Sequence, residues 1–329
     1  MAKRNYSMTK RNVKIQPAVD TMYFRTPNVP GNGTQTFYID LSQCASLVNR
    51  RFYRQGINWA TAGFKFLTNP SVQASFVMSK LPNTWVTSNA WEKAFRAWNK
   101  QQMEAVDDSG SESAVARFRD FKVHADEGHV TASFANNLLP YDIQTVPQPY
   151  GTGEWDESLI VVPNLIADAS GSTVNPFEYK LHMTGVNNFS GSRGILEGYA
   201  ASRAYPQSPD PVSPDVQNDT NWFKQMFDVG NDDTEILDNA TNRNDDLPYP
   251  QADYPGGAIQ APTMQLHDLA KVSGTTVGGV TRMKGGTFPC GLIRIDIENN
   301  DEAAQGFAFT IDLVPGTHRG YMCEPMTEM

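Results

Sequence analysis

Arg50-Arg51-Phe52-Tyr53-Arg54 puts three permanent positive charges and two aromatic rings into one short connection. Guanidinium groups fork onto phosphate oxygens, and aromatic rings stack on unpaired bases, so this mixture suits single-stranded nucleic acid. Core packing is the competing use of Phe52 and Tyr53, and the sequence favours it for each ring. A second basic group, Lys3, Arg4, Lys10, Arg11 and Lys14, precedes the first acid of the chain, Asp20. A basic arm of this kind neutralises phosphates and releases counterions without a fixed geometry. Its paired Lys-Arg steps also fit the pattern of a nuclear import signal. The third pattern is His124-Ala-Asp126-Glu127-Gly-His129. Imidazoles flanking carboxylates would form the nucleus of a metal site or of an acid–base pair in a hydrolase. The flanking residues read as strand, turn and strand, so a solvated surface turn is the favoured reading.

Few other motifs carry chemistry. No phosphate-binding glycine loop, zinc-protease helix or serine-nucleophile elbow is present. No cofactor is implied. Cys44, Cys290 and Cys323 are odd in number and far apart, which fits buried thiols in a reducing compartment better than a disulfide framework. Asp228, Asp232, Asp233, Glu235 and Asp238 belong to an acid-rich stretch without the spacing or central glycine of a calcium loop. The net charge of −9 hides a division: residues 1–91 hold eleven Lys/Arg and two acids, a balance of +9, and the remainder carries −18. One surface for a polyanion and another facing solvent is the implied arrangement. No apolar run is long enough for a membrane-spanning helix, and the N-terminus lacks the apolar core of a secretory signal.

The elements that must position these residues read as β. With 25 Gly and 21 Pro, turns are frequent. Residues 1–20 read as a flexible arm, 21–33 as a loop, and 21–329 as one sandwich domain. Phe37, Ile39 and Leu41 alternate with Tyr38 and Asp40, as in a half-buried strand. Ile57–Leu67 and Val72–Met78 follow as strands around the Asn69-Pro70 turn. Asn89 with Glu92 marks a helix start, and Trp91, Phe95 and Trp98 share one helical face, expected to pack on the sandwich. Further strands are expected at Ala116–Val123, His129–Phe134, Ile143–Val146, Leu159–Val162, Phe177–Met183 and Pro262–Leu269. Residues 184–258 are the least regular part, with one helical turn at Trp222–Phe227. Ile293, Ile295 and Ile297 alternate with polar residues, as do Phe307, Phe309, Ile311 and Leu313; the two runs read as an antiparallel pair.

Three stretches carry a resemblance: Asp40-LSQCASLVNRRFYRQGINWATAGF, Pro82-NTWVTSNAWEKAFRAWNKQQ, and Phe288-PCGLIRIDI with FTIDLVPGTHRGYMCEP. Together they resemble the capsid proteins of small circular single-stranded DNA viruses, in particular the smacovirus-like environmental group. The resemblance implies one eight-stranded jelly roll with long loops and an insertion helix, no catalysis, and self-assembly of sixty copies into a T=1 icosahedral virion. The single-stranded DNA genome would be packaged through non-specific phosphate contacts. Lys3, Arg4, Lys10, Arg11 and Lys14 would face inward, and the short arm leaves Arg50, Arg51 and Arg54, or small cations, to complete the neutralisation. The host receptor is not implied, and no membrane partner is. A carbohydrate-type β-sandwich binding module is the first alternative, and a hydrolase built on His124, Asp126 and His129 the second.

Overall fold

In a computed structural model, the described residues are 17–69, 71–111, 113, 115, 119–142, 146–162, 177–204, 264–274 and 279–328. The arm residues Lys3, Arg4, Lys10, Arg11 and Lys14, the turn at Trp222–Phe227 and the acid-rich stretch from Asp228 to Asp253 lie outside them, as do residues 116–118 and 143–145.

The chain opens with β1 (Thr21–Arg25), β2 (Gly33–Asp40), α1 (Leu41–Asn49), β3 (Ile57–Leu67) and β4 (Ala74–Lys80). A long insertion follows: α2 (Trp85–Ser109), α3 (Glu127–Ala132), the two-residue strands β5 (Tyr141–Asp142) and β6 (Gln148–Pro149), then β7 (Leu159–Val162), β8 (Phe177–His182), β9 (Asn188–Phe189), β10 (Ser192–Gly194) and α4 (Ile195–Ala204). The chain then returns through β11 (Gln265–Val272), β12 (Val280–Phe288), β13 (Leu292–Asn299) and β14 (Ala308–Leu313), and ends in β15 (Pro315–Gly316), β16 (Gly320–Tyr321) and β17 (Cys323–Pro325).

Eight of these strands form an all-β sandwich. One sheet has the order β1-β14-β3-β12, with β17 also on β3; the other has the order β11-β4-β13-β2. Every pairing in the two sheets is antiparallel. Counting only these eight, the first strand pairs with the last, the second with the seventh, the third with the sixth and the fourth with the fifth. This is the path of one long hairpin folded over itself into the two layers of the sandwich. Phe66 of one sheet stacks on Phe76 of the other at 4.1 Å and so joins the layers, while within the first sheet Phe24 and Phe66 stack on Phe309 at 5.2 and 5.1 Å. Ile39, Ile293, Ile295 and Ile297 are fully buried between the sheets. Burying each such side chain stabilises by about 1.5–3 kcal/mol.

The insertion makes a second core on the outer face of the β2-containing sheet. Trp91 and Trp98 of α2 are buried there, with Phe95 partly buried, beside Tyr38, Cys290 and Leu292. Trp91 and Trp98 therefore belong to this core, as the spacing indicates, and Phe95 lies at its edge. Cys44 and Cys290 are buried, and all three cysteines are free thiols.

Several expectations are corrected. Residues 21–33 contain β1, where Met22 and Phe24 point inward; the Pro and Gly that follow masked this short alternation. The strand through Phe37 and Ile39 ends at Asp40, and Leu41 begins a helix because Asp40 accepts from the Ser42 and Gln43 amides. The long helix starts after Thr84, not Asn89; Thr84 accepts from the Thr87 amide, and Glu92 pairs with Arg96 instead of closing a cap. His129–Phe134 is α3 running into a 3-10 turn, not a strand, because Asp126 caps it. Residues 119–123 and Val146 carry no strand. β13 and β14 do not pair with each other: they lie in opposite sheets. Period-2 alternation fixes which face a strand buries, and it says nothing of the partner.

Candidate nucleic-acid interface

The sandwich has two ends. At one, the β1–β2, β3–β4, β11–β12 and β13–β14 connections meet, held by Val29–Gln305, Asn300–Gln73 and Thr68–Gly279 backbone bonds. At the other lie the chain entry, the α1–β3 connection, the insertion and the C-terminal strands, and the basic residues gather there.

Asp40 organises this corner. It is fully buried; Oδ1 accepts from the Ser42 and Gln43 amides, and Oδ2 accepts from Gln55 Nε2 at 3.1 Å and Trp155 Nε1 at 3.0 Å. One carboxylate thereby ties the start of α1, the end of the arginine connection and a tryptophan of the insertion. Burial pushes its pKa up to about 6, against the pull of those donors. α1 ends at Arg50 in the left-handed region (φ 55°, ψ 36°), which costs a non-glycine residue about 1–3 kcal/mol and turns the chain sharply.

Beyond that turn the two aromatic rings part. Tyr53 is fully buried, donates to the Arg319 carbonyl at 2.9 Å and packs 5.7 Å from Trp59. It belongs to the core, as the sequence favours. Phe52 is only half-buried; its ring lies 6.4 Å from Trp155, and the Arg54 guanidinium sits over it at 5.9 Å.

Arg50, Arg51, Phe52, Arg119, Lys122 and Trp155 line a cleft of about 660 Å³, with Glu154 its one acidic wall residue among the described residues. Arg54 is not one of its walls, but it donates to the carbonyl of Arg119, which is, at 3.1 Å. Arg50 lies over Tyr150 at 5.8 Å, and Lys122 Nζ over Trp155 at 4.8 Å. None of Arg50, Arg51, Arg54, Arg119 and Lys122 joins an ion pair among the described residues. Asp120, whose carboxylate feels both Lys122 and Arg54, and Glu154 offset part of this charge; the cations outnumber them, and a polyanion would relieve the excess. The arm is rooted here as well: Arg51 Nη1 donates to the Pro17 carbonyl at 2.9 Å, and Asn49 and Tyr321 bind the backbone of Val19.

The structure thus brings Arg50, Arg51 and Arg54 together and adds Arg119, Lys122 and Trp155, which sequence reasoning missed. A signal existed: Arg117-Phe118-Arg119-Asp120-Phe121-Lys122 interleaves cations with aromatic rings just as residues 50–54 do.

The histidine pattern is not a surface turn. His124, His129 and Asp126 are all buried, because the insertion closes over the outer face of β2 and β13. Asp126 Oδ1 accepts from Tyr38 and from the His129 amide, both at 2.8 Å, and Oδ2 pairs with Arg294 at 3.1 Å. His129 Nδ1 accepts from the Ala125 amide, so its Nε2–H donates to Asn137 at 2.8 Å. Neither ring nitrogen of His124 makes a hydrogen bond of good geometry among the described residues; the ring stacks on Phe134 at 4.3 Å and meets His129 edge-on at 4.8 Å. Burial pulls His129 down to about 4 and His124 to about 2. Both are neutral at pH 7. No group of three or more His, Cys, Asp or Glu among the described residues is placed to hold a metal ion.

Comparison of this chain with protein-family models, with curated proteins and with solved structures found no match.

Proposed function

We propose that this chain is the coat-protein subunit of a small single-stranded DNA virus, assembling with copies of itself into a closed icosahedral shell. The fold alone does not carry this reading, since jelly rolls serve capsids, lectins and cupins alike. The observation that carries it is the 2.9 Å contact of Arg51 with the Pro17 carbonyl. It holds Pro17, which follows the five cations of residues 3–14 in the sequence, at the corner of Arg50, Arg51, Arg54, Arg119 and Lys122. Phosphate neutralisation needs charge density and no base readout, and this corner supplies it without a specific frame. The sequence resemblance supports the same reading.

Negative-stain electron microscopy of the purified full chain, with absorbance at 260 and 280 nm on the same fraction, tests it. Uniform closed particles with a raised 260 nm signal are expected. A monomer at every salt and pH tried would overturn the reading.

A further inference from the structure

Next to the cationic cleft, and sharing Phe52 with it, lies a second cavity of about 240 Å³, with Phe52, Trp91, Phe95 and Phe121 among its walls. Trp91 and Phe95 stack on each other at 5.3 Å with planes 7° apart, and Phe121 meets Trp91 edge-on at 5.9 Å. Gly56 forms part of the lining because nothing larger fits: a Cβ there would stand 2.4 Å from the Trp91 ring. Arg54 and Arg319 are at the same cavity, and Arg319 is held by its bond to the Phe52 carbonyl. Asp120 is its carboxylate, with its oxygens already accepting from the Gln55 and Phe121 amides.

The geometry points to a subsite for one unpaired nucleobase of a single-stranded nucleic acid, its backbone running along the neighbouring cleft. This rests on the nucleic-acid reading above and adds to it a contact that phosphate neutralisation does not need. The cavity is smaller than sites for drug-sized ligands, about 300–1,000 Å³, and suits one planar ring system. Aromatic walls provide stacking that any base can use, and the adjoining cations take the phosphates on either side. A paired base cannot enter, since its ring is held within the duplex stack. Phe52, common to both cavities, stands where backbone and base would diverge.

The test uses the purified full chain, freed of nucleic acid, and two labelled twelve-nucleotide strands: oligo-dT and an abasic strand of the same length. Anisotropy titration should show oligo-dT binding about tenfold tighter, the scale expected of one stacked base. Phe95→Leu, which keeps the volume and removes the flat ring, should cancel that difference and leave abasic-strand affinity unchanged. Photo-crosslinking of the wild-type chain to a 5-iododeoxyuridine strand gives a readout independent of any variant; peptides containing Phe52, Trp91 or Phe95 should carry the link. Equal affinity for both strands would remove the base subsite and leave the backbone interface standing; a neighbouring copy's side chain filling the cavity would give that result. Failure of both strands to bind would overturn the subsite and the nucleic-acid reading together. Crosslinks confined to Trp155 and its neighbours would also refute the placement.

Discussion

His124 makes the response to acid calculable. A histidine whose folded pKa lies below its unfolded value of about 6.5 keeps its stabilising contribution above 6.5 and loses it as pH falls, because the unfolded chain takes up the proton first. The loss is about 1.4 kcal/mol per pH unit per group until the folded pKa is reached. His124, at about 2, and His129, at about 4, both respond across pH 6.5 to 5, and His182 is shifted the same way by burial. The first two alone remove about 4 kcal/mol by pH 5. His129 and Lys180 push His124 further down, whereas Asp126 and Glu157 partly hold His129 up. Asp40 works in the opposite sense: its folded pKa of about 6 is above its unfolded value, so its burial penalty is relieved as pH falls below 6, returning about 1.4 kcal/mol by pH 5. His124, His129 and Asp40 together therefore give a loss of about 2–3 kcal/mol between pH 7 and pH 5. Urea unfolding of the subunit at pH 7, 6 and 5 reads it. His124→Phe preserves the stack on Phe134 and removes two ring nitrogens that lack a hydrogen bond of good geometry, so it should stabilise at pH 7 by about 1–3 kcal/mol and flatten the pH slope by about 1.4 kcal/mol per unit. A variant less stable at pH 7, with an unchanged slope, would refute the reasoning.

Three further outcomes are expected. Replacing Arg50, Arg51 and Arg54 together with Ala should lower the encapsidated nucleic acid, read from absorbance on purified particles; unchanged content would detach these residues from packaging. Arg119→Ala with Lys122→Ala should reduce the dependence of log affinity on log salt by about 1.4, two single-strand phosphate contacts, when binding is titrated across salt. Asp40→Ala leaves the first amides of α1, Gln55 and Trp155 without their acceptor and should destabilise by about 3 kcal/mol or more in urea unfolding, with Trp155 emission changed.

Local pattern carried much of the architecture, and pairing did not follow from it. Ile293, Ile295 and Ile297 declare a buried face, as do Phe309 and Ile311, but the partners of β14 are strands at the far end of the chain. Thr21 meets Asp312 across 291 positions, and no local signal links them. α1 was hidden because Asp40 closes an alternating run and caps a helix with the same side chain. At the candidate site, Arg50, Arg51 and Arg54 were legible because they fall within five consecutive residues. Arg119, Lys122 and Trp155 were not, because only folding of the insertion brings them across. The histidines misled for a different reason: polar side chains read as solvated until Tyr38, Arg294 and Asn137 are seen to enclose them.

The placement of the insertion between β4 and β11 bears on how the protein is made. When β4 leaves the ribosome, none of the four hairpin partners of the first half yet exists. At about 5–20 residues per second, the interval until β14 emerges is roughly ten to fifty seconds. During that time Ile39, Phe66 and Phe76 have no second layer, and the edges of β2 and β4 are open to other chains. A nascent chain stalled within the insertion is therefore the most aggregation-prone species of its synthesis. Truncations ending before Leu292 should accumulate as insoluble material, because they lack the central strand that β2 and β4 both need.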